Sequence, residues 1–305
     1  MSDVVHSSHR RRVGIVGFGA LGQFLVRALL TNPSVAALYE LVFVWNRSPQ
    51  KIQESTDPVV PSELVLFDLA DFASRKADIV VEVSHPIIYK EFGKQFLEAA
   101  DLFVGSPTAF SDKDLYDSMY HLASNKSVDG SATGHAVYLP VGALWGAEDI
   151  HKMAQRGSIT GLKITMRKPA ESMRLEEPLQ SKLEQFQADE SKKELIIYSG
   201  SVRGLCPLAP NNVNTMACAA MASGPNVGFD GAIGELIAEK GLEAHIIDVE
   251  VTGKALAGRS DPFTVRSNRY NPCDPNAVTA SATYQSFLSS LINAARPRGP
   301  GIHFC

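Results

Sequence analysis

Short apolar runs separated by helical segments dominate the first half of the chain. After the first run, apolar residues recur at i, i+3, i+4, i+7 and i+8, which predicts a helix with one buried face: Leu21, Phe24, Leu25, Ala28 and Leu29. Further helices are predicted over about residues 87–100 and 112–124. The runs suited to buried strands lie at residues 13–16, 41–45, 64–67, 78–84 and 102–105. Strands that alternate with helices in this way predict an α/β fold with a doubly wound, Rossmann-type parallel sheet over residues 12–137.

The second half of the chain has a different pattern, with alternating rather than continuous apolar segments. Predicted strands lie at residues 159–166, 195–198 and 244–251. In the last of these, alternation places His245, Ile247, Val249 and Val251 on one face. Predicted helices lie at residues 147–155, from about Asn211 with Asn211 or Asn212 as its cap, and from near Pro275. Residues 171–194 predict surface helix and loop, and residues 232–238 fit a strand or a helix.

The composition is that of an ordinary globular protein, with 45% hydrophobic residues, 20% charged residues and a net charge of -4. Basic residues cluster only at residues 9–12, which argues against a nucleic-acid partner. No apolar stretch approaches the length of a membrane span, and the first residues lack the apolar core of a signal peptide. We therefore expect a cytoplasmic protein that binds neither nucleic acid nor membrane. The four cysteines lack metal-type spacing, which predicts free thiols and no metal site.

A glycine-rich turn follows the first predicted strand and opens the first helix. Gly17, Gly19 and Gly22 have the spacing of a dinucleotide fingerprint, in which one glycine forms a tight turn, one admits a pyrophosphate and one allows close helix packing. The amides at the start of the helix would point at the phosphates, so Phe18, Ala20 and Leu21 join the predicted contacts. The alternative is a glycine-rich turn that holds no ligand.

The end of the second predicted strand indicates which dinucleotide is bound. NAD sites usually place an acid at this junction to contact the adenine ribose. The chain has Asn46, Arg47 and Ser48 there, and these offer hydrogen bonds and a positive charge to a 2′-phosphate. NADP is therefore favoured over NAD, unless Arg47 only solvates a turn. Ser84 and His85 follow a later strand and are placed to line the same crevice, although His85 also fits a surface turn.

The chemistry of a nicotinamide fold is hydride transfer, for which the protein must supply a proton acceptor and must recognise the charge of its substrate. The sequence contains no P-loop, zincin helix or nucleophile elbow, which argues against phosphoryl transfer and hydrolysis. Among eight histidines, His245 is the one predicted to point inward from a strand. Its pattern fits a catalytic base and a satisfied core histidine equally well.

Taken together, the motifs of the chain resemble those of the L-aspartate dehydrogenase family over nearly its whole length. The segments that carry the resemblance, besides the glycine turn and His245, are residues 139–149 (LPVGALWGAED), 165–169 (TMRKP), 210–214 (PNNVN) and 274–281 (DPNAVTAS). The chain departs from the family at Trp145, where a small residue is expected. A tryptophan inside the pocket would narrow it.

The resemblance implies oxidation of L-aspartate to iminoaspartate, which hydrolyses to oxaloacetate and ammonia, with NAD or NADP as hydride acceptor. It makes His245 the catalytic histidine and places Ala143 and one of Asn212 or Asn214 against the cofactor. It also implies a strand at residues 232–238, an open mixed sheet in the second domain similar to that of dihydrodipicolinate reductase, and a homodimer.

The implied substrate is a dicarboxylic amino acid, so its pocket needs cations and hydrogen-bond donors. Thr165, Arg167 and Lys168 are the candidates, although the two cations could equally close a strand in solvent. Two other functions remain open at this point: a nicotinamide enzyme for another amino acid, an imine or a sugar-like carbonyl, and a catalytically silent nucleotide-binding sensor or partner.

Pattern and resemblance together divide the chain into five parts. These are a flexible leader at 1–11, a dinucleotide-binding domain at 12–137, a substrate and dimerisation α+β domain at 138–273, a C-terminal helix returning to the first domain at 274–295, and a loose tail at 296–305.

Overall fold

The computed structural model describes residues 10–124, 134–255 and 257–305. Most of the predicted leader therefore lies outside the described residues. Its last residue does not belong to a leader, because Arg11 begins the first strand and its guanidinium is buried in an ion pair with Asp101. Within the described ranges, no helix combines the length and the apolar character needed to cross a membrane.

The strands are numbered β1 to β12 in chain order. They are β1 (Arg11–Val16), β2 (Tyr39–Trp45), β3 (Val65–Leu66), β4 (Ile79–Glu82), β5 (Asp101–Val104), β6 (Ala136–Leu139), β7 (Ile159–Pro169), β8 (Glu194–Ser201), β9 (Ala232–Glu239), β10 (Ala244–Ala255), β11 (Pro262–Pro272) and β12 (Gly301–Phe304).

The α-helices are numbered in the same way. They are α1 (Ala20–Thr31), α2 (Pro33–Ala36), α3 (Gln50–Gln53), α4 (Pro86–Ala99), α5 (Lys113–Ala123), α6 (Ala147–Gln155), α7 (Leu179–Ala188), α8 (Val202–Leu205), α9 (Asn214–Ala222), α10 (Gly224–Gly231) and α11 (Ser281–Ala294). Short 3-10 helices lie at Ser62–Leu64, Leu69–Arg75, Pro107–Ser111 and Ala170–Ser172.

Two sheets organise the molecule, and together they confirm the predicted fold class. The first has seven parallel strands in the order β12-β6-β5-β4-β1-β2-β3, with helices on both faces. The second has the order β11-β10-β7-β9-β8, with β7 and β9 parallel and the other pairs antiparallel. The ambiguous segment 232–238 is thus a strand, in the second sheet.

Helix α9 lies against the inner face of the second sheet and is buried on every side. Residues 215–222 are all buried, and the four alanines of the helix keep its diameter small. It packs between β7, α6, α10 and the 3-10 helix at Pro107–Ser111 of the first domain. A helix that is apolar all round has no stripe to face solvent, so its place is the centre of a core. Its first turn consequently meets the crevice between the two domains.

Helix α11 leaves the second domain and packs on the first sheet. Phe287, Leu291 and Ala294 share one apolar cluster with residues of β1, β5 and β6. The hydroxyl of Tyr39 donates to the carbonyl of Leu291 at 2.7 Å. The helix begins at Ser281, later than the predicted start near Pro275, because the preceding turn lines the crevice instead.

The predicted loose tail is wrong, because its last residues form β12. Gly301–Phe304 pairs in parallel with β6, and the amide of Cys305 donates to the carbonyl of Leu139 at 3.0 Å. The amide of Val141 in turn donates to the carbonyl of Cys305. A four-residue strand beside prolines and glycines has no periodicity to reveal it. Its ladder holds the start of the 140–143 loop, which lines the active-site crevice.

This packing predicts a stability cost at Phe304, which is buried. We expect Phe304→Ala to lower the free energy of unfolding by about 3 kcal/mol, since it removes a buried aromatic ring. Its neighbour His303 is only half-buried, and His303→Ala is expected to change the same quantity by no more than about 1 kcal/mol. Urea denaturation measures both. An unchanged midpoint of urea denaturation in Phe304→Ala would mean that the tail is loosely packed after all.

Candidate active site

The glycine turn between β1 and α1 has the geometry that a bound dinucleotide needs. Gly17 has a φ of +116°, and a Cβ there would lie 2.8 Å from the carbonyl oxygen of Val83. A Cβ on Gly22 would lie 2.1 Å from the carbonyl oxygen of Gly17. These two glycines therefore permit close packing. A Cβ on Gly19 would meet no described atom within 4 Å, so this glycine faces the open crevice.

The N-terminus of α1 is free to bind an anion. Gly19 is its N-cap and supplies no side-chain bond to the first amides, and the first turn contains no acid. Unpaired amides and the positive end of a helix dipole attract phosphate. The observed turn thus fits the pyrophosphate of a nicotinamide dinucleotide, with Phe18, Ala20 and Leu21 beside it.

The residues after β2 divide into one that orders the turn and one that is available to a ligand. Asn46 accepts from the amide of Phe18 at 3.2 Å and donates to the carbonyl of Ser48 at 3.1 Å. Asn46 therefore holds the glycine turn in place. Arg47 is exposed, and its charge helps to lower the pKa of His85, after the larger effect of burial. Arg47 and His85 thus lie on the same side of the crevice.

Glu82, at the end of β4, was not anticipated from the sequence. It is fully buried, and its Oε1 accepts hydrogen bonds from the amides of Ser84 and His85 and from the hydroxyls of Ser84 and Ser106. Burial raises its pKa to about 7, against the effect of these four bonds. Glu82 thereby fixes the two loops that follow β4 and β5. The sequence did contain an indication of this role, because Glu82 interrupts the otherwise apolar run at residues 79–83.

A narrow cavity of about 90 Å³ lies where the glycine turn, the 140–143 loop, the second sheet and α11 meet. Its charged, imidazole and amide side chains come from four separate segments and are mostly buried. Those relevant to chemistry and binding are Lys168 from β7, Asn212 and Asn214 from the start of α9, His245 from β10 and Asn271 from β11. Leu21, Gly105 and Ala143 complete the side nearest the glycine turn. Residues far apart in sequence therefore converge on one site.

His245 lies on the inner face of β10 and is only 4% exposed. Burial, and then the nearby charge of Lys168, lower its pKa to about 3, although a hydrogen bond to the backbone of Ala277 acts in the opposite direction. The imidazole is thus neutral near pH 7. Its Nε2 is buried and has no hydrogen-bond partner among the described residues. Such a nitrogen can accept a proton from a bound substrate.

Lys168 reaches the same cavity from β7 and is 3% exposed. Its Nζ donates to the carbonyl of Val278 at 3.4 Å, and no carboxylate lies within ion-pair distance in the described part of the chain. Burial lowers its pKa to about 8. A buried ammonium without a counter-ion costs free energy unless a ligand supplies the charge. The buried ammonium of Lys168 therefore favours the binding of an anionic ligand in this cavity.

Thr165 and Arg167 do not reach the cavity, which corrects their prediction as substrate residues. Alternate residues of β7 face opposite sides of the sheet, so these two point away from Lys168. Thr165 donates to Glu235 at 3.2 Å, and Arg167 forms ion pairs with Glu194 and Glu239 on the outer face. Arg167 and Lys168 therefore do not act together on one ligand, because they lie on opposite faces of β7.

Trp145 does not narrow the cavity either. It is 74% exposed and belongs to a separate surface groove with Met153, Phe263 and Val265.

The prediction that Asn211 or Asn212 caps α9 is wrong, because the helix begins after Val213 with no side-chain cap. Asn212 instead accepts from the amide of Arg174 at 2.9 Å and donates to Ser172.

Asn214 bridges the two domains beside the cavity. Its Oδ1 accepts from the amide of Thr108 at 3.4 Å and lies 3.2 Å from the hydroxyl of Thr108, which donates to the carbonyl of Pro210 at 2.9 Å. Because Thr108 follows β5 and Asn214 begins α9, the bond fixes the two sides of the crevice relative to each other. Asn214, Asn212 and Ala143 therefore line the cavity, and the contact of Ala143 and one of the two asparagines with the cofactor stays a prediction.

The sequence is similar to dehydrogenases along both domains. The family model described as "Aspartate dehydrogenase, C-terminal" matches residues 149–290, and the model described as "Homoserine dehydrogenase, NAD binding domain" matches residues 17–130. An aspartate dehydrogenase domain-containing protein of Xenopus tropicalis is 42% identical over 297 residues, covering 97% of this chain and 98% of its own. An L-aspartate dehydrogenase of Ralstonia pickettii is 27% identical, covering 93% and 97%.

Among solved structures, aspartate dehydrogenase from Thermotoga maritima has a TM-score of 0.63 at 19% identity, covering 93% of this chain and 97% of its own. At that identity the likeness shows a shared fold. The matched NAD-binding domain and the glycine turn identify a nicotinamide cofactor, and the relatives identify an oxidoreductase. On the strength of the 42% identity over almost its full length, the chain belongs to the aspartate dehydrogenase family.

Proposed function

We propose that this protein oxidises L-aspartate to iminoaspartate with NADP as the favoured hydride acceptor, and that the imine then hydrolyses to oxaloacetate and ammonia. The observation that carries the proposal is the pairing of His245 with Lys168. One cavity holds a neutral, unpartnered imidazole nitrogen and a buried ammonium without a carboxylate in the described structure. An amino acid supplies what each lacks, since its amine carries a proton to be lost and its carboxylate carries a negative charge.

Lys168 and His245 have different roles in the proposed reaction. Lys168 binds a carboxylate of the substrate and so orients the reacting carbon towards the glycine turn. When bound at the glycine turn, the nicotinamide would supply the hydride acceptor for this carbon. His245 accepts, at Nε2, the proton that the amine loses as the carbon–nitrogen double bond forms. Once that proton has been released to solvent, the same nitrogen can take a proton from the water that attacks the imine.

The preference for NADP is inferred from Arg47. The side chain is exposed beside the crevice, and none of its bonds commits it to another part of the described protein. A guanidinium can bind a 2′-phosphate through two hydrogen bonds, and the adjoining Asn46 and Ser48 contain no acid that would repel it.

We therefore expect Arg47→Glu to raise the Kd for NADP at least about tenfold, since a charge-assisted hydrogen bond is replaced by repulsion. The Kd for NAD, which lacks the phosphate, should change little. Quenching of protein fluorescence by each dinucleotide measures both constants. Arg259→Glu makes the same charge change at an exposed residue paired with Asp261, and it should leave both constants unchanged. Equal losses for the two dinucleotides would contradict the assignment.

The substrate is tested by following reduction of NADP and NAD with a panel of amino acids, together with thermal shifts for the same compounds. L-Aspartate should be the preferred substrate and should raise the melting temperature. Turnover of a different amino acid would make the protein another dehydrogenase on this fold. Binding of NADPH without turnover of any member, and without any effect of changes at His245, would make it a nucleotide-binding sensor.

A further inference from the structure

Strand β11 places Asn271 in the cavity and Arg269 against the 140–143 loop at its edge, and neither the sequence nor the proposed reaction assigned a role to these two residues. Ser267, Arg269 and Asn271 lie on the inner face of this edge strand, whereas Arg266 and Asn268 point outward. Asn271 lines the same cavity as His245 and Lys168. For Arg269 and Asn271, β11 thus also offers an outward residue of the same type for comparison, Arg266 and Asn268.

Asn271 faces His245 directly across the β10–β11 pair. It is only 3% exposed, and its Nδ2 has no hydrogen-bond partner in the described structure. Two unpartnered nitrogens therefore lie side by side in one cavity. A neutral imidazole can present Nε2 as an acceptor, whereas Nδ2 of Asn271 is a donor.

A buried donor without a partner costs free energy, so this pair of atoms indicates a ligand with complementary groups. The ligand must present a proton to His245 and, next to it, an oxygen to Asn271. An α-amino acid has this arrangement, because its amine and its carboxylate are attached to the same carbon. Lys168 lies in the same cavity and neutralises the carboxylate charge.

Arg269 lies two residues from Asn271 on the same face, at a spacing of roughly 7 Å along the strand. Its guanidinium is half-buried and donates to the carbonyl of Gly142 at 3.2 Å. Burial lowers its pKa, and no carboxylate pairs with it among the described residues. Gly142 itself lines the cavity, so the bond holds a cation at the rim.

We propose that β11 is the strand that selects the substrate: Asn271 binds the carboxylate on the reacting carbon, and Arg269 binds the second carboxylate of a dicarboxylic amino acid. This inference rests on the proposed function, because it names how that site distinguishes its substrate. Lys168 supplies charge to the first carboxylate, and Arg269 supplies it to the second. Amino acids with neutral side chains offer no carboxylate to Arg269.

The role of Asn271 is tested with Asn271→Leu and calorimetric binding of succinate, which has two carboxylates and no amine. The Kd should rise about tenfold to a hundredfold, because a hydrogen bond to a charged group is lost. Asn268→Leu, on the outer face, should leave the Kd unchanged. The midpoint of urea denaturation should stay the same or rise in Asn271→Leu, since the change removes an unpaired buried donor. A fall in the midpoint with unchanged succinate binding would mean that Asn271 is structural, and would overturn its assignment.

The role of Arg269 is tested by comparing L-aspartate with L-asparagine, whose side chains have nearly the same shape. The Kd for L-asparagine divided by the Kd for L-aspartate should fall at least about tenfold in Arg269→Met, because one charge-assisted contact is lost for aspartate alone. Arg266→Met, whose side chain pairs with Glu250 on the outer face, should preserve the ratio. A general loosening of the 140–143 loop would weaken both ligands equally, and an unchanged ratio would overturn the assignment.

These measurements separate the inference from the proposed reaction. If aspartate is never oxidised but succinate binds in an Asn271-dependent manner, carboxylate recognition stands and the reaction fails. If aspartate is oxidised normally by Asn271→Leu and Arg269→Met, the reaction stands and the inference fails.

Discussion

Replacing His245 with asparagine is expected to lower kcat for L-aspartate oxidation by about 10²- to 10⁴-fold, the range for removing a positioned acid/base. Asparagine keeps a polar amide at this position, but it has no basic nitrogen in place of Nε2. The loss should therefore fall on kcat, with the Kd for NADP close to that of the unaltered protein. Steady-state kinetics and dinucleotide binding measure the two effects.

His121→Asn is the matched control, because His121 is exposed on α5. It should leave kcat unchanged. Near-normal turnover by His245→Asn would remove His245 from the mechanism.

The stability of the protein should also depend on pH through His245. Its pKa of about 3 in the folded protein means that folding disfavours the protonated ring. Between about pH 6.5 and 3 the unfolded chain binds more protons than the folded protein does, so stability falls on acidification. This fall should be smaller in His245→Asn.

Replacing Lys168 with methionine is expected to weaken succinate binding on the order of 100-fold, since a buried carboxylate would lose its cation. Methionine has a similar length and fills the same apolar surroundings. Because the free ammonium is buried without a carboxylate in the described structure, Lys168→Met should be at least as stable as the original protein near pH 7. Calorimetry and urea denaturation measure these effects.

The affinity of the unaltered protein for succinate should also depend on pH. Burial lowers the pKa of Lys168 to about 8, with the imidazole of His245 and the thiol of Cys273 as its titratable neighbours. Only the protonated amine attracts a carboxylate. The Kd should therefore be constant below about pH 8 and rise about tenfold per unit above it. Lys168→Met should remove this dependence. Lys163→Met changes an outward lysine of the same strand and should preserve it.

The hydrophobic pattern of the chain was sufficient to predict most of the fold. Continuous apolar runs gave the buried parallel strands, and the alternation around His245 correctly placed that residue on the inner face of β10. The pattern missed three strands that have weak or interrupted signals. β6 and β12 are four residues long, and β11 is an exposed edge strand with few buried positions.

The candidate site could be predicted only where a local rule applied. The three glycines follow such a rule, because a turn followed by a helix determines which positions tolerate no side chain. Thr165, Arg167 and Lys168 were grouped because they are close in sequence. Strand geometry separates them, so only Lys168 enters the cavity. The pattern shows neither the burial of Glu82 nor the Ser106 that it binds after β5, and it does not show that Asn271 faces His245 on another strand.

The sequence by itself determined the class of fold, the glycine turn and the inward orientation of His245, since each depends on residues within one or two elements. The tertiary structure decided which distant side chains meet there. Lys168, His245 and Asn271 come from three neighbouring strands of the second sheet, and Asn214 comes from a helix that reaches the crevice. Strand order and register fix these contacts, and no local pattern encodes them. Burial follows from the same packing, and it is burial that makes the histidine neutral and leaves the lysine in need of an anion.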